Sequence, residues 1–353
     1  SLYPTHDRYY GYGIIVWSNS STNTNNTVSI KNCSFDGNNA EAISVYDHEN
    51  TLTLENNVDN CSVNIVYTAD NEYTTLDKAL EKGVDFTLIA NTTYNKTITI
   101  GTGKNITLDL NGKTLRGTCN AGQGHLIMVN NGATLNVKDS SANADGKITF
   151  AQGTSNVGWA IDLEGELNLY SGIIELTGSS WSIGYAVDVR PNAWGTAYNT
   201  PTTFNMYGGK LISSDCAIRV ASSSADTYSE VSANFNMMGG EIQAAYDGIF
   251  IQQSNETYDN LNVNISGGKI ESEMYPVRLY GPVATGKVST ADVVEKINIT
   301  GGEIVPCKVE GKTTLLEDLI YIAGGATEET LYFTEINVEG EGLPTYKFAA
   351  KAL

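Results

Sequence analysis

Short strings recur along the chain in which apolar and polar positions alternate. The most regular is apolar–Asn–apolar–x–(Gly/Ser)–Gly, usually followed by a charge and then an apolar residue. It stands as LNLYSGIIEL from Leu167, FNMYGGKLIS from Phe204, FNMMGGEIQA from Phe235, VNISGGKIES from Val263 and INITGGEIVP from Ile297. The second glycines of these strings are 37, 31, 28 and 34 residues apart. A second string, small–apolar–x–apolar, falls between them: LIMV from Leu126, AIDL from Ala160, AVDV from Ala186, AIRV from Ala217, GIFI from Gly248, PVRL from Pro276 and LIYI from Leu319. GIIV from Gly13 and AISV from Ala42 repeat it near the start. A period of two marks short half-buried strands, not helix turns. The Gly, Asn, Ser, Asp and Thr between them are residues of sharp corners.

Strands of three to five residues that repeat every ~30 residues predict a solenoid, in which each coil buries its apolar edge only by stacking on the next. A propeller blade needs four strands in about 40 residues, and a sandwich would not repeat one string in register. The expected fold is all-β, a right-handed parallel β-helix. Stacking then turns positions into columns. Asn168, Asn205, Asn236, Asn264 and Asn298 face outward as an amide ladder. Lys210, Glu241, Lys269 and Glu303 alternate in sign from coil to coil, which stabilises neighbouring strands by about 0.2–1 kcal/mol per pair.

One segment breaks the pattern. In YTTLDKALEKG, Thr74 or Thr75 can cap a helix start, Leu76, Ala79 and Leu80 form an apolar stripe, and Gly83 supplies a stop. A short helix over about residues 74–83 is expected to cap the main solenoid, residues 67–353, because an uncovered end exposes unpaired edges. Residues 1–66 read as two further coils. Either they end a preceding β-helix, or the helix is a lateral insertion in one continuous solenoid.

Composition narrows the partners. The 353 residues carry 40 acidic and 21 basic side chains, a formal charge of −19, which disfavours nucleic acid and anionic membrane surfaces. No apolar run approaches the roughly 20 residues that span a bilayer. Five scattered cysteines lack zinc spacing and read as buried thiols. Only His6, His48 and His125 could supply imidazole, too few for a His-based metal site or triad. The chain opens at Ser1 without a signal-like segment and reads as a mature segment or a piece of something longer.

The helix, then TLIANTTYNKTITI and NITLDLNGKTLRG, then the Gly-Gly-(Lys/Glu)-Ile coils, resemble the β-helix repeats of bacterial cell-surface and secreted proteins, in shape the pectate-lyase-like group, over about residues 70–340. The resemblance implies an extracellular or surface location. It does not choose an activity, since the group includes polysaccharide lyases, glycoside hydrolases, adhesins and tail spikes.

Candidate chemistry sits at the third position of the second string, expected to be exposed: Met128, Asp162, Asp188, Arg219, Phe250, Arg278 and Tyr321. Asp162 and Asp188 on adjacent coils would repel. Arg219, a bound Ca²⁺ ion or a raised carboxyl pKa could relieve that. On an enzymatic reading Asp162, Asp188, Arg219 and Arg278 are the catalytic candidates, with Asp162 and Asp188 as the candidate Ca²⁺ ligands, as the resemblance to the lyases implies. The strings that mark polygalacturonase-like hydrolases, Asn-Thr-Asp, Gly-His-Gly and Arg-Ile-Lys, are absent. On a binding reading the rings matter, since Tyr and Trp suit half-wet contact surfaces. Trp159 and Tyr185 share a column, Trp181, Trp194 and Tyr198 fall in turns, and Phe250 joins the candidate surface. The reading favoured by the sequence is a non-catalytic module, without an obligatory cofactor, that binds a polysaccharide or a cell-surface glycan or protein. A lyase or hydrolase acting on an acidic glycan and a structural stalk are the alternatives.

Overall fold

Alternate apolar residues in each repeat must leave water together, and three short strands per coil achieve this by folding a flat ribbon into a three-walled tube. The structure is a computed structural model that describes residues 14–17, 27–35, 43–46, 51–55, 58–59, 65–69, 73–94, 96–118, 124–153, 158–178, 184–191, 200–221, 231–252, 260–280, 297–305, 320–323, 336–339 and 345–348. It is a parallel β-solenoid with a single short helix among the described residues.

The first wall stacks Phe86–Leu88, Asn105–Asp109, Thr134–Lys138, Glu166–Leu169, Thr202–Met206, Ala233–Met237, Leu261–Ile265 and Ile297–Ile299. The second stacks Asn91–Thr93, Thr114–Thr118, Lys147–Ala151, Ile173–Thr177, Lys210–Ser213, Glu241–Ala244, Lys269–Ser272 and Gly302–Val305. The third stacks Ile98–Ile100, His125–Val129, Trp159–Leu163, Tyr185–Val189, Cys216–Ala221, Asp247–Gln252, Tyr275–Tyr280 and Ile320–Ala323. Residues about thirty places apart pair in parallel register, as Asn205 does with Asn236 and Lys210 with Glu241. One continuous apolar core runs from Val66 to Ile304, with the Phe204 and Phe235 rings tilted against each other inside it at 5.2 Å between centroids.

The corner between the first and second walls is set by the Gly-Gly pair. Gly209 has φ +72° and Gly240 φ +86°, a region open to glycine and strained for most side chains. A Cβ on Gly209 would lie 2.7 Å from the Gly172 carbonyl oxygen, and one on Gly240 2.7 Å from that of Gly209. The coils therefore sit too close at this corner for any side chain.

The helix spans Leu76–Lys82. Thr75 is its N-cap, its hydroxyl accepting a hydrogen bond from the Lys78 amide at 3.2 Å, and Gly83 ends it in the left-handed conformation. Leu76 and Ala79 are buried against the core. Asp77, in the first turn, accepts hydrogen bonds from the Tyr94 hydroxyl and from Lys96. Burial raises the Asp77 carboxyl, but these partners pull it below its ordinary value. Beside the helix, Ile65–Thr68 pairs antiparallel with Tyr73–Thr75 and with Phe86–Leu88, closing the start of the first wall.

In front of this cap, Ile14–Trp17 pairs with Ile43–Tyr46 and Thr27–Lys31 with Thr51–Glu55, both in parallel. Ser34–Phe35 and Val58–Asp59 continue the second wall into Asn91–Thr93. The hairpin and helix thus interrupt the first and third walls while the second runs through. At the far end the second wall turns antiparallel, Thr345–Phe348 pairing with Gly302–Val305 and with Ile336–Glu339.

Candidate functional site

Two of the three walls carry groups that could do chemistry, and they differ in exposure. The third wall holds the column expected from the sequence: Met128 pairs with Asp162, Asp162 with Asp188, Asp188 with Arg219, Arg219 with Phe250, Phe250 with Arg278 and Arg278 with Tyr321. Beside it, His125, Trp159, Tyr185 and Cys216 form a second column. The expectation of exposure is corrected. Asp188 is fully buried and Asp162, Tyr185 and Phe250 are buried, while Trp159 and Arg278 are half-buried. Strand alternation says only that these side chains point away from the core. Trp181, Trp194 and Tyr198 lie outside the described residues.

A charge in such a place needs a partner, and Asp188 has one. Arg219 donates to one carboxylate oxygen through Nε at 2.7 Å and to the other through Nη2, a two-pronged pair whose planar geometry suits a guanidinium. Arg190 adds a longer contact at 3.9 Å. The Arg219 guanidinium lies 4.6 Å above the Tyr185 ring, Tyr185 is parallel to Phe250 at 6.2 Å, and Arg278 lies 4.4 Å from Phe250. Arg278 pairs with fully buried Asp247 at 2.7 Å. The wall is therefore an inlay of rings and guanidinium groups that neutralises its own carboxylates.

Asp162 is the member left short of charge. Burial, then repulsion by Asp188, pushes its carboxyl up to about 7, against the pull of Arg190 and Arg219. Its nearest cationic candidate, His125 Nδ1 at 3.5 Å, is itself pushed toward the neutral form by burial. Burial likewise raises Asp247 to about 6, although Arg278 opposes the shift. Of the three remedies the sequence offered for the Asp162–Asp188 clash, the arginine and the raised pKa are present. A Ca²⁺ ion needs six or more oxygen ligands. Arg219 already bonds both oxygens of Asp188, and no group of three His, Cys, Asp or Glu among the described residues is placed to hold a metal.

The first wall is more open, its ladder half-buried except at Asn168, which is buried. Asn136, Asn168, Asn205, Asn236 and Asn264 each donate to the asparagine one coil earlier, at 2.8–3.0 Å, so the ladder reaches down to Asn105. Asn262 and Asn234 form a shorter parallel ladder ending on Thr203. Two residues after the ladder come Tyr170, Tyr207 and Met238, the three exposed large apolar side chains among the described residues. The two tyrosine rings are stacked, 5.0 Å between centroids and 4° between planes. The sequence contained the signal, since both tyrosines occupy the variable x position of the repeated string, but that position reads as the start of a turn. The corner glycines bring the two rings into register: a Cβ on Gly208 would lie 2.5 Å from the Tyr170 carbonyl oxygen.

The class defined by this geometry is the parallel β-solenoid. No protein-family model, curated protein or solved structure matches the chain.

Proposed function

We propose that the protein is a non-catalytic, carbohydrate-binding β-solenoid module of a bacterial secreted or surface-attached protein, pectate-lyase-like in shape. The observation that carries this reading is the exposed, parallel Tyr170–Tyr207 pair standing beside the amide ladder. Flat rings accept the C–H face of a sugar, and amides exchange hydrogen bonds with its hydroxyls. The location follows from the resemblance of the coils to extracellular β-helix repeats and from the acidic charge of −19.

One observation favours a catalytic reading instead. Asp162 holds its proton near neutral pH beside the arginine-paired Asp188, and paired carboxyls with different environments are the usual material of glycan cleavage. Against it, Arg219 occupies both oxygens of Asp188, which is fully buried. Incubation with neutral and acidic polysaccharides, with and without Ca²⁺, separates the two. Saturable binding without new reducing or unsaturated ends supports the module. Chain cleavage lost in Asp188→Asn would replace it with the enzyme.

A further inference from the structure

We infer that the ligand face is the first wall, and that it takes a neutral, linear glycan lying along the solenoid axis with its sugar rings in step with successive coils. The inference rests on the carbohydrate-binding reading and adds to it the face, the ligand class and the direction.

The direction comes from the register. Tyr170 and Tyr207 hold the same place on adjacent coils, and Met238 follows on the next, so the apolar ledge runs parallel to the axis with a step of about 4.8 Å, the spacing of paired strands. The asparagine ladder runs beside it, two residues away on every coil. A chain of sugars on the ledge would keep its apolar faces on the rings and its hydroxyl edges over the half-buried amides of Asn205, Asn236 and Asn264, Asn168 beside Tyr170 being buried and bonded to Asn136 and Glu166. A glycan laid across the wall would meet one ring and one amide only.

The hydrogen-bonding capacity of the ladder supports the same conclusion. An asparagine side chain offers two N–H donors and an acceptor oxygen with two lone pairs. Asn205 spends one donor on Asn168 and one lone pair on Asn236, and Asn236 does the same between Asn205 and Asn264. Each keeps one donor and one acceptor, the complement of a hydroxyl group. The amide planes are held by their neighbours, so little freedom is lost on binding.

The ligand class comes from charge. The chain carries 61 charged side chains, yet residues 202–207, 233–238 and 261–266, three coils in succession on this wall, contain none. A uronate chain would require cations here, whereas the Tyr170 coil adds the acidic Glu166, and the nearest cation on this wall is Lys138, one coil before Tyr170, paired with Asp109 at 3.6 Å. The net charge of −19 also opposes the approach of a polyanion. Toward the capped end the face runs into a cleft lined by Tyr67, Asp85, Thr107, Asp109 and Lys138, where one end of the glycan would be received.

Isothermal titration with cello-, xylo- and chito-oligosaccharides of increasing length, and with polygalacturonate, tests this. Affinity for at least one neutral series is expected to grow with length, and Tyr170→Ala or Tyr207→Ala to weaken it about tenfold, the equivalent of about 1.4 kcal/mol of ring contact. Tyr207→Phe, which keeps the ring, is expected to retain binding. Because both side chains are exposed, thermal unfolding of the variants should match the parent. Binding confined to polygalacturonate, or neutral-glycan binding unchanged in the Tyr170→Ala/Tyr207→Ala double variant, would overturn the inference and leave the carbohydrate-binding reading standing. Absence of binding to every glycan would sink both. Self-association abolished by Tyr207→Ala, seen by light scattering, would assign the face to a second copy of the chain.

Discussion

On the first wall, Asn205 gives an amide hydrogen to Asn168 and receives one from Asn236. On the third wall of the same coil, Arg219 closes two hydrogen bonds on Asp188. The amide is both donor and acceptor, so one residue type can repeat coil after coil, each bond adding a net ~1 kcal/mol. A charge cannot repeat itself. Burial, with Asp188 beside it, already pushes the Asp162 carboxyl up to about 7, and the column switches to arginine and then to phenylalanine. An open wall can thus be built as a monotone ladder, whereas a buried polar wall needs a specific order of unlike residues.

That contrast can be broken at either wall. The largest effect is expected from Arg219→Ala, which strands a fully buried carboxylate. The loss should be about 3–5 kcal/mol by urea unfolding, and Arg219→Lys, a point charge without the planar fork, should recover only part. A loss below that of a surface pair would mean that water reaches Asp188.

Next comes pH. Asp162, held at about 7 when folded against 3.8 ordinarily, keeps a proton that the unfolded chain has released. Its contribution is full below about pH 4 and disappears as pH rises through 7. His125, lowered by burial, works in the opposite sense, favouring the fold as pH rises through its ordinary range. Glu164, Asp188, Arg190 and Arg219 also face the group and are common to both proteins compared. The difference in melting temperature between Asp162→Asn and the parent isolates Asp162: the variant should gain on the parent between pH 5 and pH 8. A constant difference would refute the raised carboxyl.

The smallest effect belongs to the ladder. Asn205→Ala removes two amide bonds from its middle and should cost about 1–2 kcal/mol, whereas Asn105→Ala, at an exposed end with one amide bond, should cost about half of that. Equal losses would show that the bonds do not act as a ladder.

The sequence makes the vertical neighbours legible because a stacked coil must repeat its apolar spacing. Asn205 above Asn168 and Glu241 above Lys210 follow from counting alone. Exposure does not. Asp188 and Asn205 both alternate with core residues, yet one is fully buried and the other half-buried, and no local pattern separates them. For the same reason Tyr185 and Phe250 read as a binding surface although they lie under arginine, while Tyr170 and Tyr207, at the variable position of the repeat, drew no reading although they are exposed. The helix was readable from Thr75 and Gly83 because its end signals are local chemistry. The antiparallel closure at the far end was not, since it depends on a pairing made over a long separation.

The corner where Gly209 touches the carbonyl of Gly172 acts as the ruler of the molecule. Three residues separate Leu169 from Ile173, Met206 from Lys210, Met237 from Glu241 and Ile265 from Lys269. The chain between the third wall and the next first wall ranges from two residues, after Leu163, to sixteen, after Tyr280. From Leu169 to Lys269 the Gly-Gly corner keeps one length, although the same corner takes eight residues between Lys138 and Lys147, so the tolerance for length is greatest at the edge between the third and first walls. A foreign peptide spliced in after Ala221 would leave the pitch untouched, whereas a single residue added at Gly208 would push the Tyr207 ring out of line with Tyr170.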